Sequence, residues 1–236
     1  MTMSNCLQKR FLILALLLVV NAKLGYDISV WEGEVNCFEC TKQAGYDFVV
    51  IEICSSAKQF NNYLAQNIKS AYNSSLEVDL YIFPDTTRDP AEQINSFFQY
   101  LIANQTMSLF NNVWLDIENE NLFFANCTQN IEFLQAMINT TKNYINQNRI
   151  GLYASQHYWP IMCNTTAFSD LQLWYPRWDN QTNFNDFTPF SGFANPVMKQ
   201  FYNDVQICCT NTDVDWKPDT QTHYFSNFSN GAFLKK

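Results

Sequence analysis

Runs of apolar residues alternate with amphipathic stretches along the chain, and the apolar runs predict eight β-strands. The predicted strands are Leu24–Val30, Asp47–Cys54, Glu77–Pro84, Asn111–Glu118, Asn148–Ser155, Leu171–Pro176, Val197–Asn203 and Thr212–Trp216. Several of these runs are continuously apolar, which is typical of a parallel sheet covered on both faces. The first five strands begin roughly 20 to 35 residues apart, as βα units require.

The amphipathic stretches predict helices, most clearly in the middle of the chain. One helix begins at Pro90, with Asp89 as its N-cap, and carries an apolar stripe at helical spacing. A second is predicted from Thr128 to Asn148. After the sixth strand the spacing leaves little room for helices. The pattern therefore predicts the α/β class and an incomplete (β/α)8 barrel.

The first 22 residues have the pattern of a secretory signal peptide. Lys9 and Arg10 precede ten apolar residues, and "VNA" predicts cleavage after Ala22. Ten residues are too few to span a bilayer as a helix, although an uncleaved anchor is the alternative. We predict a signal peptide at 1–22 and one domain at 23–236, with a core of about 24–217 and a C-terminal tail at 218–236. The expected destination is the cell exterior, the lysosome or the phagosome.

Cysteine usage agrees with export into an oxidising compartment. Seven of the eight cysteines follow the signal: Cys37, Cys40, Cys54, Cys127, Cys163, Cys208 and Cys209. The "CFEC" motif lacks a second pair at ligand spacing, so disulfides are favoured over zinc. Because seven is odd, at least one thiol is free or bonded to another chain, and the connectivity stays open. Several Asn-x-Ser/Thr sequons are expected to carry glycans.

Charge and composition exclude several classes of protein. The 236-residue chain is 47% hydrophobic and has a formal net charge of −8 without a basic cluster, which argues against a disordered protein or a nucleic-acid binder. It contains no glycine-rich phosphate loop, no G-x-S-x-G motif and no histidines at metal-ligand spacing. We therefore expect no cofactor, no metal, no nucleic acid and no stable membrane association, and we expect a monomer.

Acidic residues fall at predicted strand ends. Side chains alternate along a strand, so Asp116 and Glu118 point the same way, about 6.6–6.8 Å apart along it. Asp27 closes the first strand and Asp215 closes the last, and these two strands are neighbours in a closed barrel. Four acids from three strands would then meet at one rim. The alternatives are that Asp27 and Asp215 are loop caps and that Asp116 and Glu118 are a coincidence.

Two further acids have simpler interpretations. Glu52 lies within a strand and is interpreted as part of a structural pair, whereas Glu120 is interpreted as a solvated loop residue. Clustered carboxyl groups push their pKa values apart, which suits the proton transfer in glycosidic cleavage. Aromatic residues that could stack on sugar rings lie at or just beyond strand ends, although each alone is more typical of core packing: Trp31, Tyr153, Trp159, Trp174, Tyr175 and Trp178.

The ordered motifs "GYDIS", "VWLDIE", "IGLYAS", "LWYPRWD" and "VDW" resemble glycoside hydrolase family 25, the Chalaropsis-type lysozymes. "YIFP", the stretch Phe184–Phe193 and "KQF" are similar to the eukaryotic branch of that family. The resemblance extends from Gly25 to Trp216. It implies an irregular, flattened (β/α)8-like barrel whose last strands lack helices. It also implies a secreted or lysosomal lysozyme that cuts the β-1,4 bond between N-acetylmuramic acid and N-acetylglucosamine of peptidoglycan.

Roles follow from the resemblance, residue by residue. It implies that Glu118 is the general acid/base and that Asp116 assists the substrate N-acetyl group, while Asp27 and Asp215 complete the acidic cleft. Substrate-binding positions are expected at the following residues: Tyr153, Trp174 and Tyr175.

The sequence also departs from the family in ways that concern substrate preference. Pro176 and Arg177 stand where the family usually has a small and a less basic residue. Two alternatives stay open: a non-catalytic glycan-binding defence protein on this scaffold, and a hydrolase of chitin-like glycans. An acidic working pH is expected, because one acid must hold a proton.

Overall fold

A computed structural model of the protein describes residues 22–219, and within them each predicted apolar run forms a strand. The strands are β1 Ala22–Ile28, β2 Phe48–Glu52, β3 Glu77–Ile82, β4 Val113–Ile117, β5 Ile150–Ala154, β6 Gln172–Pro176, β7 Met198–Ile207 and β8 Thr210–Pro218. They pair in chain order, and β8 pairs with β1 to close a barrel. Strands β1 to β7 are parallel, whereas β8 is antiparallel to both neighbours. The predicted barrel is confirmed.

Helices cover the first half of the barrel. They are α1 Phe38–Gln43, α2 Leu64–Asn73, α3 Pro90–Ala103 and α4 Cys127–Thr141. The predicted N-cap of α3 is confirmed, because the Asp89 carboxylate accepts the Glu92 N–H at 2.8 Å. None of the helices within residues 22–219 has the length and apolar character to cross a membrane.

The predicted extension of α4 to Asn148 is wrong. The helix ends at Thr141, and the chain turns before a short 3₁₀ helix at Gln147–Arg149. Asparagines at 143, 146 and 148 have low helix propensity, because their side chains compete for backbone hydrogen bonds. Beyond β5 the described chain has only a 3₁₀ helix at Trp159–Met162. The prediction that helices are missing late in the chain is confirmed.

Bulky inward-facing side chains fill the lower barrel, below the ends at which the parallel strands finish. Phe48 and Trp114 belong to this interior cluster. Each ring lies over a glycine of the adjacent strand, Phe48 over Gly25 and Trp114 over Gly151. A Cβ on Gly25 would lie only 2.3 Å from the Phe48 ring, and a Cβ on Gly151 only 2.2 Å from the Trp114 ring. These side chains therefore fill the lower barrel, and a cavity opens above this layer.

Disulfides fix the elements around that upper end. Two of them, Cys37–Cys209 and Cys40–Cys208, join α1 to the two-residue turn between β7 and β8. The third, Cys127–Cys163, joins α4 to the segment after β5. Cys54 is free. The expectation that most cysteines are bridged and that one is left over is confirmed within the described residues. The predicted signal peptide, apart from Ala22, and the tail beyond residue 219 lie outside them.

Candidate active site

A cavity of about 420 Å³ opens above the aromatic layer, and three predicted acids line it. We call it the acidic chamber; its wall includes Asp27 from β1, and Asp116 and Glu118 from the end of β4. The expectation that Asp116 and Glu118 point the same way is confirmed. Glu118 is partly exposed, whereas Asp116 is buried and its Oδ1 has no hydrogen-bond partner among the described residues. The chamber therefore contains an unsatisfied acceptor beside a reachable carboxyl group.

The prediction that Asp215 ends the last strand at this rim is wrong. Strand β8 runs antiparallel to β1 and continues to Pro218, so the chain descends from the rim and Asp215 pairs with Gly25. Asp215 is fully buried, and its Oδ1 accepts the Trp174 indole N–H at 2.9 Å. Burial, followed by the charge of Asp27, raises the pKa of Asp215 well above the ordinary value.

Asp213 occupies the place expected for Asp215. It pairs with Asp27 across β1 and β8 and lines the acidic chamber. Asp213 Oδ1 accepts the backbone N–H of Asp204 at 2.9 Å, which holds its side chain against the β7–β8 hairpin. The sequence contained the signal for this residue, because Asp213 and Asp215 are two positions apart in "TDVDW" and alternation places them on one face.

Burial and mutual repulsion raise the pKa values of these acids. Burial, followed by the charge of Asp213, raises the pKa of Asp27 to about 8 and also raises the pKa of Glu118. Burial is the larger cause for Asp116 too, followed by Glu118, and its pKa lies well above the ordinary value. Glu52 has a pKa of about 7, mainly through burial. The cluster therefore holds protons at a pH at which isolated carboxyl groups have lost them.

Glu52 differs from its sequence interpretation. Its Oε2 accepts the backbone N–H of Val30 at 2.8 Å, and no ion pair to it is present among residues 22–219. Its charge raises the pKa of Asp116, so it lies close to the acid cluster. It thus has a structural hydrogen bond but also contributes to the electrostatics of the site.

Gln200 connects the two sides of the chamber, and the sequence analysis did not single it out. Its Nε2 donates to Asp27 Oδ2 at 2.9 Å. Its Oε1 accepts from the Tyr153 hydroxyl at 2.9 Å and from the Trp178 indole N–H at 3.0 Å. This buried amide therefore fixes one acid and two aromatic side chains together. The role of Gln200 depends on the long-range pairing of β7, which the local sequence does not indicate.

The predicted aromatic residues divide by position. Tyr153 and Trp174 form the base of the acidic chamber, with ring centroids 4.6 Å apart, and Trp174 is only 2% exposed. Tyr175 faces the opposite side of β6, where its hydroxyl donates to Asp186 at 3.0 Å. Trp159 is fully buried in the core. Trp31 and Trp178 are 66% and 59% exposed, and Trp178 is the one of the two that lines the cavity.

A second cavity of about 600 Å³ adjoins the first, and we call it the aromatic chamber. Its wall includes Tyr158, Tyr175, Arg177 and Phe187. Both chambers share the side chains of Glu118, Tyr153 and Trp178. Glu118 consequently lies at the junction of the two halves of one cleft.

Comparison with known proteins identifies relatives by sequence. A family model described as "Lysozyme-like protein 1" matches residues 20–201. The chain is 34% identical over 210 residues to "Probable GH family 25 lysozyme 2" of Dictyostelium discoideum, covering 86% of this chain and 95% of that protein. It is 30% identical over 220 residues to "Lysozyme-like protein 5" of Caenorhabditis elegans, covering 89% of this chain and all of that protein.

Solved structures share the fold. A family GH25 lysozyme from Aspergillus fumigatus superimposes with a TM-score of 0.65 at 19% identity, covering 84% of this chain and 94% of that one. A bacterial lysozyme from Streptomyces coelicolor gives a TM-score of 0.66 at 19% identity, covering 85% and 93%. At such identities the superpositions establish that the irregular barrel is the same fold.

Proposed function

The chain belongs to glycoside hydrolase family 25, the lysozymes, and from this membership we propose how it cuts its substrate and which residues act. The proposed reaction is hydrolysis of the β-1,4 bond between N-acetylmuramic acid and N-acetylglucosamine in bacterial peptidoglycan. One observation carries the proposal: Glu118, with a raised pKa, lies where the acidic and aromatic chambers meet. A glycan strand that occupies both chambers passes this carboxyl group with a sugar on either side.

Glu118 is the proposed general acid/base. Burial and the nearby charge of Asp213 keep it protonated at mildly acidic pH, and it donates that proton to the leaving glycosidic oxygen. The carboxylate that results takes a proton from the incoming water. Because the acid form is needed first, activity falls as pH rises through the raised pKa of Glu118. The proposed working pH is therefore acidic.

Asp116 is proposed to assist the N-acetyl group of the substrate. Its buried Oδ1 has no donor among the described residues, and an unsatisfied buried acceptor is costly unless a ligand completes it. An amide N–H of the substrate supplies that donor and orients the acetyl carbonyl oxygen towards the anomeric carbon. Asp27 and Asp213 are proposed to complete the acidic site at the rim, with Gln200 holding Asp27 in place, whereas the buried Asp215 acts only through its neighbours.

A secreted or lysosomal location is also proposed. Three disulfides in residues 22–219 support it, since disulfides persist in oxidising compartments. Amino-terminal sequencing of the protein recovered from culture medium or lysosomes should begin after Ala22. Recovery of the full-length chain from the cytosol would contradict this location.

Clearing of a bacterial cell-wall suspension between pH 3 and 8 tests the proposed reaction. The wild-type protein should clear the suspension fastest at acidic pH. Glu118→Gln should lower the rate by a factor of about 10²–10⁴, the usual contribution of a general acid, with an unchanged melting temperature. The matched control is Glu120→Gln, an exposed acid two residues further on, which should retain full activity. Cleavage of chitin oligosaccharides without clearing would favour the chitin-hydrolase alternative.

A further inference from the structure

The two chambers differ in charge. Four acids besides Asp116 and Glu118 line the acidic chamber: Asp27, Glu32, Asp204 and Asp213. The aromatic chamber has one permanent cation in its wall, Arg177. Of the two acids in its wall, Glu118 is shared with the acidic chamber, and Asp186 is already paired with the buried Lys199 at 2.7 Å. An anionic group on a substrate is thus attracted to Arg177 in the aromatic chamber, whereas no Lys or Arg of the described residues lines the acidic chamber.

Arg177 has a fixed backbone and an unpaired head group. Its N–H donates to the Gln200 carbonyl oxygen at 2.8 Å, and the next residue, Trp178, donates its indole N–H to the Gln200 side chain. The Arg177 side chain is exposed, and within residues 22–219 its guanidinium has no carboxylate within 4.0 Å. Five other described cations form ion pairs: Lys23, Lys42, Lys58, Lys199 and Lys217.

We propose that the aromatic chamber binds the acidic arm of a muramic acid residue, with Arg177 pairing a carboxylate of that arm. This inference rests on the proposed function. The arm is the lactyl ether and the stem peptide attached to it, and the carboxylate is either a free stem carboxylate or, in strands without peptide, the lactyl carboxylate. A guanidinium matches a carboxylate through two parallel N–H donors. Trp178, Tyr158 and Phe187 provide apolar surface for the rest of the arm.

This assignment makes Arg177 a determinant of substrate preference. An uncharged chitin-like strand gains nothing from the guanidinium, whereas a strand with an acidic arm gains an ion pair at the partly exposed chamber. Exposed ion pairs contribute little free energy, so we expect kcat/KM to be about 5-fold higher for the strand with the acidic arm than for the uncharged strand. It should diminish with added salt, because the Debye length is about 8 Å at physiological ionic strength.

The test compares kcat/KM for soluble glycan strands of equal length in three forms. The first carries stem peptides with free carboxylates, the second carries the same stems after amidation, and the third has been stripped of peptide to expose the lactyl carboxylate. Arg177→Gln should lose about 5-fold on at least one acidic form and change less than 2-fold on the amidated form. Loss on the first form assigns the stem carboxylate, and loss on the third assigns the lactyl carboxylate.

Controls separate charge from folding. Arg88→Gln removes an exposed arginine that lines neither chamber and should leave all three rates unchanged. Arg177→Lys should keep part of the preference. The pH profile of Arg177→Gln should match the wild type, because burial and Asp213 set the pKa of Glu118. An equal loss on all three forms, or no loss on any, would overturn the inference.

A binding comparison distinguishes this inference from the proposed reaction. Glu118→Gln and the double variant Glu118→Gln/Arg177→Gln are titrated with the acidic and amidated strands, and Kd is measured. The double variant should bind the acidic strand about 5-fold more weakly and the amidated strand equally well. A wild-type protein that cleaves no strand would contradict the proposed function. The Kd comparison would still decide the role of Arg177, and equal Kd values would refute it.

Discussion

The buried Lys199 offers a sharp test of how the cleft wall is held. Its side chain is completely buried, and Nζ lies 2.8 Å from Asp179 Oδ1 and 2.7 Å from Asp186 Oδ1. These acids come from the segment that follows β6 and carries Trp178. Lys199 thereby attaches that segment to β7.

Replacement of Lys199 by methionine keeps the volume but leaves both acids without their cation. Breaking a buried pair costs about 3–5 kcal/mol. The acids are 26% and 20% exposed and regain some hydration, so the expected loss is about 2–4 kcal/mol. At about 2–4 °C per kcal/mol for a chain of this size, Tm should fall by about 4–16 °C.

Thermal melts followed by circular dichroism measure this loss. Lys69→Met, an exposed lysine on α2, is the matched control and should change Tm by less than about 2 °C. Adding Asp186→Asn to Lys199→Met should recover part of the loss, because it removes one unpaired charge. A Lys199→Met protein that melts with the wild type would refute the assignment of the ion pairs as a structural attachment.

Three further predictions concern the barrel, its acids and its hairpin. Gly151→Ala places a Cβ 2.2 Å from the Trp114 ring and should lower the free energy of unfolding by about 1–3 kcal/mol. An unchanged urea midpoint would contradict this, because it would show that the interior side chains move aside at no measurable cost. The raised pKa of Asp27, about 8 against an ordinary 3.8, means that the folded state holds its extra proton between about pH 4 and 8. Stability should therefore fall as pH rises across that range, and Asp27→Asn should reduce the slope by up to about 1.4 kcal/mol per pH unit, because the other acids with raised pKa values keep their own contributions; stability that rises with pH would contradict this. Removing one hairpin disulfide with Cys40→Ser and Cys208→Ser should cost little, because its neighbour closes nearly the same loop, whereas removing both should cost about 5 kcal/mol. A large loss from the first change alone would indicate that the two bonds act independently.

The barrel could be predicted from the sequence because each strand corresponds to an apolar run with the length that is typical of a β-strand. The β4 run also placed Asp116 and Glu118 correctly, since alternation is a local property of a strand. Strand direction is not local. The residues of "TDVDW" do not indicate that β8 runs antiparallel to β1. A parallel β8 would bring Asp215 to the rim, whereas the antiparallel strand brings Asp213 there.

Long-range contacts account for the other differences. Gln200 contributes to the site because β7 lies between β6 and β8 and only one strand away from β1, and a lone glutamine in "KQF" does not reveal this placement. Trp174 and Tyr175 are adjacent in β6 and face opposite ways, so Trp174 lines the acidic chamber and Tyr175 lines the aromatic chamber, where its hydroxyl donates to Asp186. The pairing of the disulfides likewise depends on which loops the closed barrel brings together.

Mass spectrometry of the fragments released from purified peptidoglycan identifies the bond that the protein cuts and the role of Glu118 together. We expect fragments whose reducing end is N-acetylmuramic acid, released fastest at acidic pH and absent from a Glu118→Gln digest. Fragments that end in N-acetylglucosamine, or equal release by Glu118→Gln, would contradict the assignment of Glu118 as the acid that cuts the muramic acid bond.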